Sequence, residues 1–227
     1  ARNSLAVYES RLEDHQSVIY RNGAADFEMT NEAIEAIDFS NFGAVITAGT
    51  VFAAEPSRTS AFRAFELARK AGLPILFDVD YRPYSWPSNK VAASVLSKAA
   101  KLSDAVIGNE EEFGFMSGNK KNGLEKAREL GKSTAELVIY KMGEKGSTTI
   151  TSEKEFNTGI YPVEALKPTG AGDSFMAGLV SSIASGYDLK ESVLRGSACA
   201  SITVSKPGCA PAMPNTIELL DFLKNFS

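Results

Sequence analysis

From residue 31 onward, short unbroken apolar runs alternate with longer stretches whose apolar positions recur at helical spacing. AVITAG (44–49) and PILFDV (74–79) have the length and composition of buried strands. Between them, Ser57–Ala71 carries Phe62, Phe65 and Leu67 among its apolar positions and is followed by Gly72, a helix with its stop signal. The pattern continues with a helix over Lys90–Lys101, a strand at Ala105–Ile107 and two short helices, one through Met116 and one over Gly123–Leu130. A strand at Leu137–Met142, a turn, and strands near Thr148–Ile150 and Glu155–Tyr161 come next. Helices are then expected within Lys167–Val180, over Leu189–Val204 and over Asn215–Phe226, and Asn31 is expected to cap a short early helix. The alternation predicts an α/β fold, a mainly parallel sheet covered by helices, with ligands gathering at the carboxyl ends of its strands. Residues 4 to 29 read differently: SLAVYES, SVIY and DFEM are short β-prone runs separated by RLEDHQ and RNGAAD, the pattern of small strands in an antiparallel appendage.

Several of the predicted strand ends and helix starts carry polar residues in chemically useful order. In KPTGAGDSFMAGLV (Lys167–Val180), Gly170, Ala171 and Gly172 leave backbone N–H groups uncovered at the start of a helix, where four donors are unpaired and the dipole is positive. A phosphate fits such a place, and Asp173, next in line, can accept a proton from a hydroxyl whose new phosphate those amides hold. The plainer alternative is an ordinary helix start, with glycines for the turn and an acid for the dipole. In DVDYRPYSW, Arg82 beside Asp78 and Asp80 can clamp a carboxylate or polyhydroxyl ligand, or can pair internally to hold a loop; Trp86 walls the pocket or packs. Asn109 and Glu112 stand three apart and share a helix face, an arrangement for holding Mg²⁺ through its waters beside a nucleotide phosphate; the alternative is a simple first-turn effect of Glu110, Glu111 and Glu112 on the dipole. KMGEKGS (Lys141–Ser147) is superficially like a P-loop but fails its spacing and reads as a β-turn, in which Gly143 and Gly146 can bring backbone close to a nucleotide. SKPGCAPAMPN, rich in Pro and Gly, is expected to be an ordered loop beside the nucleotide base.

Composition narrows the classes. A chain of 227 residues with 44% hydrophobic and 23% charged residues can bury a sizeable core as one α/β domain with a small appendage. A net charge of -4 without a basic cluster argues against a nucleic-acid surface or a polybasic membrane patch, and favours small-molecule partners. No apolar run approaches the ~20 residues of a membrane span, Cys199 and Cys209 lack metal-type spacing, and no signal peptide is evident, so a cytoplasmic location is expected. His15 is the single histidine, in a polar connection, which argues against a His dyad or a His-based metal site.

With these residues together, the chain resembles a sugar kinase of the ribokinase or PfkB family. Lys167–Val180 matches that family's C-terminal signature and Asn109–Glu112 its Asn-x-x-Glu element, in the expected order with the Lys141–Gly146 turn between them; the likeness covers nearly all of the chain. The resemblance implies a ribokinase-like core over residues 31–227 and part of a β lid over residues 1–30. It implies an ATP- and Mg²⁺-dependent phosphotransferase on a primary hydroxyl, with Asp173 as base and Gly170, Ala171 and Gly172 as anion hole. By the same likeness, Asn109 with Glu112 orders Mg²⁺ and phosphate, Lys141, Gly143, Gly146, Ser197, Ala200 and Gly208 surround the nucleotide, and Arg82, Asp80 and Asp78 meet the sugar. Expected partners are a sugar or sugar acid and ATP, with the lid as a homodimer contact, and neither nucleic acid nor membrane.

Within the family, DVDYRPYSW is most similar to the segment of 5-dehydro-2-deoxygluconokinases of inositol catabolism. Next comes that of 2-keto-3-deoxygluconate kinases, which more usually have Asn at the place of Asp80. Many members carry an acid at the place of Lys167 that helps hold a monovalent cation, so the lysine implies activity independent of K⁺. The family ordinarily begins with a further segment that includes a Gly-Gly-x-x-x-Asn region, so a piece of a larger protein, poorly active alone, is expected. Rival readings are another sugar kinase, such as a 2-keto-3-deoxygluconate kinase or fructokinase, and a non-catalytic nucleotide-binding regulatory domain.

Overall fold

The structure, a computed structural model, describes residues 1–8 and 17–226. In chain order it has strands β1 (Leu5–Tyr8), β2 (Ser17–Tyr20), helix α1 (Asn31–Glu35), β3 (Val45–Ala48), α2 (Ser57–Lys70), β4 (Ile75–Asp78), α3 (Asn89–Lys101), β5 (Ala105–Asn109), α4 (Glu110–Met116) and α5 (Gly123–Ser133). There follow β6 (Leu137–Lys141), β7 (Ser147–Thr151), β8 (Glu155–Thr158), α6 (Ala171–Ala184), α7 (Leu189–Val204) and α8 (Thr216–Lys224). Strands β1 and β2 pair in a sheet of their own; His15, in the connection between them, lies outside the described residues.

The main sheet has the order β3-β4-β5-β6-β7-β8. β3 to β6 run parallel, because each pair is joined by a crossover that contains a helix, and β7 returns antiparallel to β6 through a short turn. The central strands have no solvent face: Val106, Ile107, Val138 and Ile139 are fully buried, which is why β5 and β6 read as unbroken apolar runs. Helix starts follow local capping. Ser88 accepts from the Val91 N–H at α3, Asp188 from the Glu191 N–H at α7, and Asn215 with Glu218 forms a reciprocal capping box at α8.

Two expectations near the N-terminus are corrected. DFEM forms no strand: residues Ala25–Phe27 make a single 3₁₀ turn, with the Phe27 and Glu28 N–H groups bonded back to the Ala24 and Ala25 carbonyls. The cap of α1 is Thr30, whose hydroxyl accepts from the Ala33 N–H at 3.3 Å, while Asn31 is the first helical residue. Among the described residues, no helix is long and apolar enough to cross a membrane.

The chain divides into two compact units. The first comprises Ala1–Leu5, Tyr20–Gly143 and Ser147–Phe156, the second Ala6–Ile19, Glu144–Gly146 and Asn157–Ser227. The core of the first centres on Phe52 and Phe77, packed edge-on at 5.9 Å between centroids, with Ile75, Leu96, Val106, Leu130 and Val138 around them. In the second, Ala198, Cys199, Ile202 and Leu219 form a buried cluster against which Tyr161 and Phe222 pack. Helices α6 and α7 lie backbone to backbone in this unit: a Cβ at Gly178 would stand 2.7 Å from Cys199 Sγ and 3.0 Å from the Arg195 carbonyl oxygen. Only a residue without a side chain permits that approach. Gly178→Val is therefore expected to destabilise the second unit by about 1–3 kcal/mol, which thermal unfolding would register as a Tm several degrees lower, at ~2–4 °C per kcal/mol.

Candidate functional site

In the first unit the site is a product of parallel register. Asp78 stands opposite Ile107, and Asn109 opposite Lys141, so β4, β5 and β6 deliver Asp78, Asn109 and Lys141 to one carboxyl edge of the sheet. Beyond β4 the Val79 N–H stays on the Ile107 carbonyl at 2.9 Å, and the chain then breaks away through Asp80. Asp80 has φ of 34°, a left-handed conformation uncommon outside glycine, in which Asn and Asp are the usual exceptions. Arg82 pairs with Asp80 at 2.7 Å, the loop-holding arrangement, yet half of its side chain (51%) stays exposed to solvent. Tyr81 between them stacks on Phe115 with centroids 3.8 Å apart, and its hydroxyl donates to Asn89 Oδ1 at 3.1 Å. Trp86 packs: it is buried in the core of this unit, with the Arg58 guanidinium 5.7 Å from its ring.

Asn109 and Glu112 cap α4 reciprocally. The Glu112 N–H donates to Asn109 Oδ1 at 2.9 Å, and the Asn109 N–H donates to Glu112 Oε2 at 2.7 Å. The second Glu112 oxygen accepts from the Tyr81 N–H at 3.3 Å, which ties the loop after β4 to the start of α4. Glu112 is buried, and this burial, with Asp78 nearby and Asp80 adding to the effect, lifts its pKa from 4.5 to about 7 against the opposing pull of Lys141 and the Asn109 N–H. Three carboxylates thus crowd one edge of the sheet with Lys141 as counter-charge. The carboxylate oxygens suit a hard divalent cation, while Lys141 and Arg82, which pairs with Asp80, offset much of their charge. Among the described residues no group of three or more His, Cys, Asp or Glu side chains is arranged to enclose a metal directly, so binding through the cation's own waters is the arrangement these residues fit.

In the second unit, α6 begins at Ala171 with Gly170 as its cap, at φ of 88°, and no side chain closes the helix end. The Ala171 N–H turns back to the Pro168 carbonyl in a long bond of 3.4 Å, which leaves the next N–H groups of the first turn open to an anion, and Asp173 is exposed in that same turn. Gly170 lies close to the end of α7 and to the following loop: a Cβ there would be 3.4 Å from Thr203 Cγ2 and 3.6 Å from Cys209 Cβ. Gly208, at φ of 84°, makes the turn that brings Cys209 to that position, so SKPGCAPAMPN is an ordered loop beside the start of α6. Ser197, buried, and Ala200, half-buried, lie three apart on α7. Gly143 and Gly146 both take positive φ, 57° and 85°, around the turn after β6; a Cβ at Gly146 would fall 1.9 Å from the Thr158 carbonyl oxygen.

Within the first unit, then, Asp78, Asp80, Arg82, Asn109, Glu112 and Lys141 gather at one sheet edge; within the second, Gly170, Ala171, Gly172 and Asp173 gather with Gly208 nearby. Sequence reasoning missed Thr203 and Ser174. Thr203 Oγ1 donates to Ser174 Oγ at 2.7 Å, and Ser174 Oγ donates to the Cys199 carbonyl at 3.0 Å, a buried link between α7 and the residue after Asp173. Hydroxyl residues inside otherwise apolar helical runs were the available signal.

The raised Glu112 pKa gives a pH dependence with a definite sign. Between pH 4.5 and about 7 the folded chain keeps a proton that the unfolded chain releases, so stability falls as pH rises through that window and levels off above it. The slope contributed by one such group is at most about 1.4 kcal/mol per pH unit. Glu112→Gln should flatten this part of the profile, as measured by urea unfolding of the metal-free protein at pH 5, 6, 7 and 8.

Comparison with known proteins bears on the family and the fold. The model of the pfkB family carbohydrate kinases matches residues 1–216. A 5-dehydro-2-deoxygluconokinase of Photobacterium profundum is 38% identical over 230 residues, covering 99% of this chain and 69% of that relative. Another, of Shouchella clausii, is 35% identical over 209 residues, 91% of this chain and 64% of its own length. The chain thus spans about two thirds of the length of these relatives. Among solved structures, a fructokinase with bound ATP from Xylella fastidiosa superposes with a TM-score of 0.87 at 20% identity, covering 98% of this chain and 74% of that one, a likeness of fold. With its mixed, mostly parallel six-stranded sheet, the chain has the ribokinase-like fold and belongs to the pfkB family of carbohydrate kinases.

Proposed function

We propose that this carbohydrate kinase transfers the γ-phosphoryl group of ATP to a primary hydroxyl of a keto-deoxy sugar acid, 5-dehydro-2-deoxygluconate. The observation that carries the reading is the start of α6: an exposed Asp173 in the first turn of a helix whose N-terminus no side chain caps. The names of the relatives at 38% and 35% identity support the substrate.

On this reading Asp173 accepts the proton of the attacking hydroxyl, while the N–H groups around Gly170, Ala171 and Gly172 stabilise the charge that gathers on the transferring phosphoryl. Little covalent chemistry is asked of the protein; positioning and charge stabilisation supply the catalysis. Asn109 and Glu112 would hold magnesium through its waters, and the bound ion would supply charge neutralisation at the ATP phosphates. Glu112, its pKa raised to about 7, would have to be ionised to do so. Lys141, Gly143, Gly146, Ser197, Ala200 and Gly208 line the nucleotide. Arg82, whose side chain is 51% exposed, takes the carboxylate of the sugar acid, with Asp80 keeping the guanidinium oriented until substrate arrives and Asp78 nearby. A reaction that draws on ATP suits a cytoplasmic protein.

Two experiments on the full-length enzyme test the reading. Asp173→Asn should lower kcat by ~10²–10⁴-fold with ATP affinity unchanged, and unaltered turnover would remove Asp173 from the mechanism. In a panel of 5-dehydro-2-deoxygluconate, 2-keto-3-deoxygluconate and fructose, ADP release should be fastest with the first, and Arg82→Met should raise KM for the two acids by ~10-fold or more while leaving fructose little affected. Equal KM changes for acids and for fructose would exclude carboxylate recognition by Arg82. ATP binding with no sugar-dependent turnover would identify a regulatory domain instead.

A further inference from the structure

We infer that Lys167 is a positioning residue: its ammonium is a fixed cation, built into the chain, that holds the anion-binding turn and Asp173 in working geometry. The inference rests on the role proposed above for that turn.

The Lys167 ammonium donates to two backbone carbonyls from separate segments, Thr169 at 2.7 Å and Thr203 at 3.1 Å. Thr169 immediately precedes Gly170, the left-handed cap of α6; Thr203 belongs to the last turn of α7. Carbonyls in a final helical turn carry the negative end of the dipole, and on the main chain that of Thr203 meets only the N–H groups of the chain leaving the helix, among them Lys206 at 3.4 Å, so a cation is favoured there. The backbone is strapped to the same helix end, with the Leu166 and Lys167 N–H groups on the Val204 carbonyl at 2.8 and 3.3 Å. Thr203 also acts in the other direction, its hydroxyl donating to Ser174 at 2.7 Å. One residue of α7 therefore holds the motif on both sides of Gly170–Asp173: at Thr169 through the lysine, and at Ser174 directly.

Lys120, Lys126, Lys206 and Lys224 each meet an acid, whereas the hydrogen bonds of Lys167 run to two main-chain carbonyls. Its charge goes to backbone oxygens instead. Two carbonyl oxygens directed at one point repel each other, and an ammonium with three donors removes that repulsion. Without it, the Thr169 peptide is released from the end of α7 and the turn that follows is free to shift. Misplacement of a reacting group by about 1 Å can cost ~10²-fold in rate.

The test compares Lys167→Met, which keeps the stem but not the charge, with Lys167→Ala, which opens a space a small cation can fill. Both are made in the full-length enzyme at constant ionic strength, set with tetramethylammonium. Wild-type turnover should be indifferent to K⁺ and to ammonium. Lys167→Met should lose ~10–10²-fold in kcat with KM for ATP within about threefold of wild type, and added ammonium should not restore it. Lys167→Ala should lose as much and recover ~10-fold in ammonium, and its Tm, unlike those of wild type and Lys167→Met, should rise by about 1–3 °C with ammonium. Wild-type kcat in Lys167→Met, or a Lys167→Ala defect that no small cation changes in either rate or Tm, would overturn the inference. If wild type phosphorylates none of the sugars, the proposed function fails, and the ammonium-dependent Tm of Lys167→Ala still decides whether the two carbonyls form a cation site.

Discussion

The constraint on which the first unit depends is that a parallel strand cannot follow its neighbour without a crossover. Each crossover returns the chain to the same starting edge, so every parallel strand ends on the same side, and the residues just past those ends are brought together from distant parts of the chain. Asp78, Asn109 and Lys141 owe their proximity to this alone, through the pairing of β4, β5 and β6. Glu112 then joins them because Asn109 ends a strand and caps a helix at once. The acid that satisfies a backbone donor by capping is also the acid whose burial among other carboxylates raises its pKa to about 7. Local backbone satisfaction and charge crowding thus act on one side chain.

The second unit solves a different problem. An anion-binding helix start has to leave its N–H groups uncapped, which removes the usual means of fixing a helix terminus. Here the fixing comes from outside the helix, from the end of α7. Close approach at Gly178 brings α7 against α6, and Thr203 and Lys167 hold the residues on either side of the turn. The negative end of α7 is given a partner of opposite sign, the Lys167 ammonium on the Thr203 carbonyl.

Much of this was legible in the sequence. Buried parallel strands have to be apolar on both faces, so AVITAG, PILFDV and LVIY announced themselves, and the amphipathic runs between them could only be crossover helices. Glycine before Asp173 signalled a turn that β-carbons would obstruct, and the left-handed φ of Gly170 agrees. The run Glu110–Glu112 was readable as a helix start because acids favour a first turn, whereas the reciprocal cap of Asn109 and Glu112, though settled within four residues, was not read. Where the reading failed, at DFEM and at the cap of α1, the error was also local: β-prone residues without a partner strand curl into a 3₁₀ turn, and a threonine one position earlier takes the part expected of Asn31.

What the tertiary structure alone decided is everything that depends on distance between residues far apart in the chain. The sequence left Arg82 as clamp or internal pair; the fold gives it Asp80 at 2.7 Å and leaves half of it in solvent. It left Trp86 as wall or packing, and burial in the core of the first unit selected packing. KPTGAGDSFMAGLV itself determined an uncapped helix start with an acid in its first turn, because those properties belong to consecutive residues. It could not determine where the Lys167 ammonium would point: the carbonyl of Thr203 lies 36 residues further along the chain, and only the packing of α7 against α6 brings it within reach.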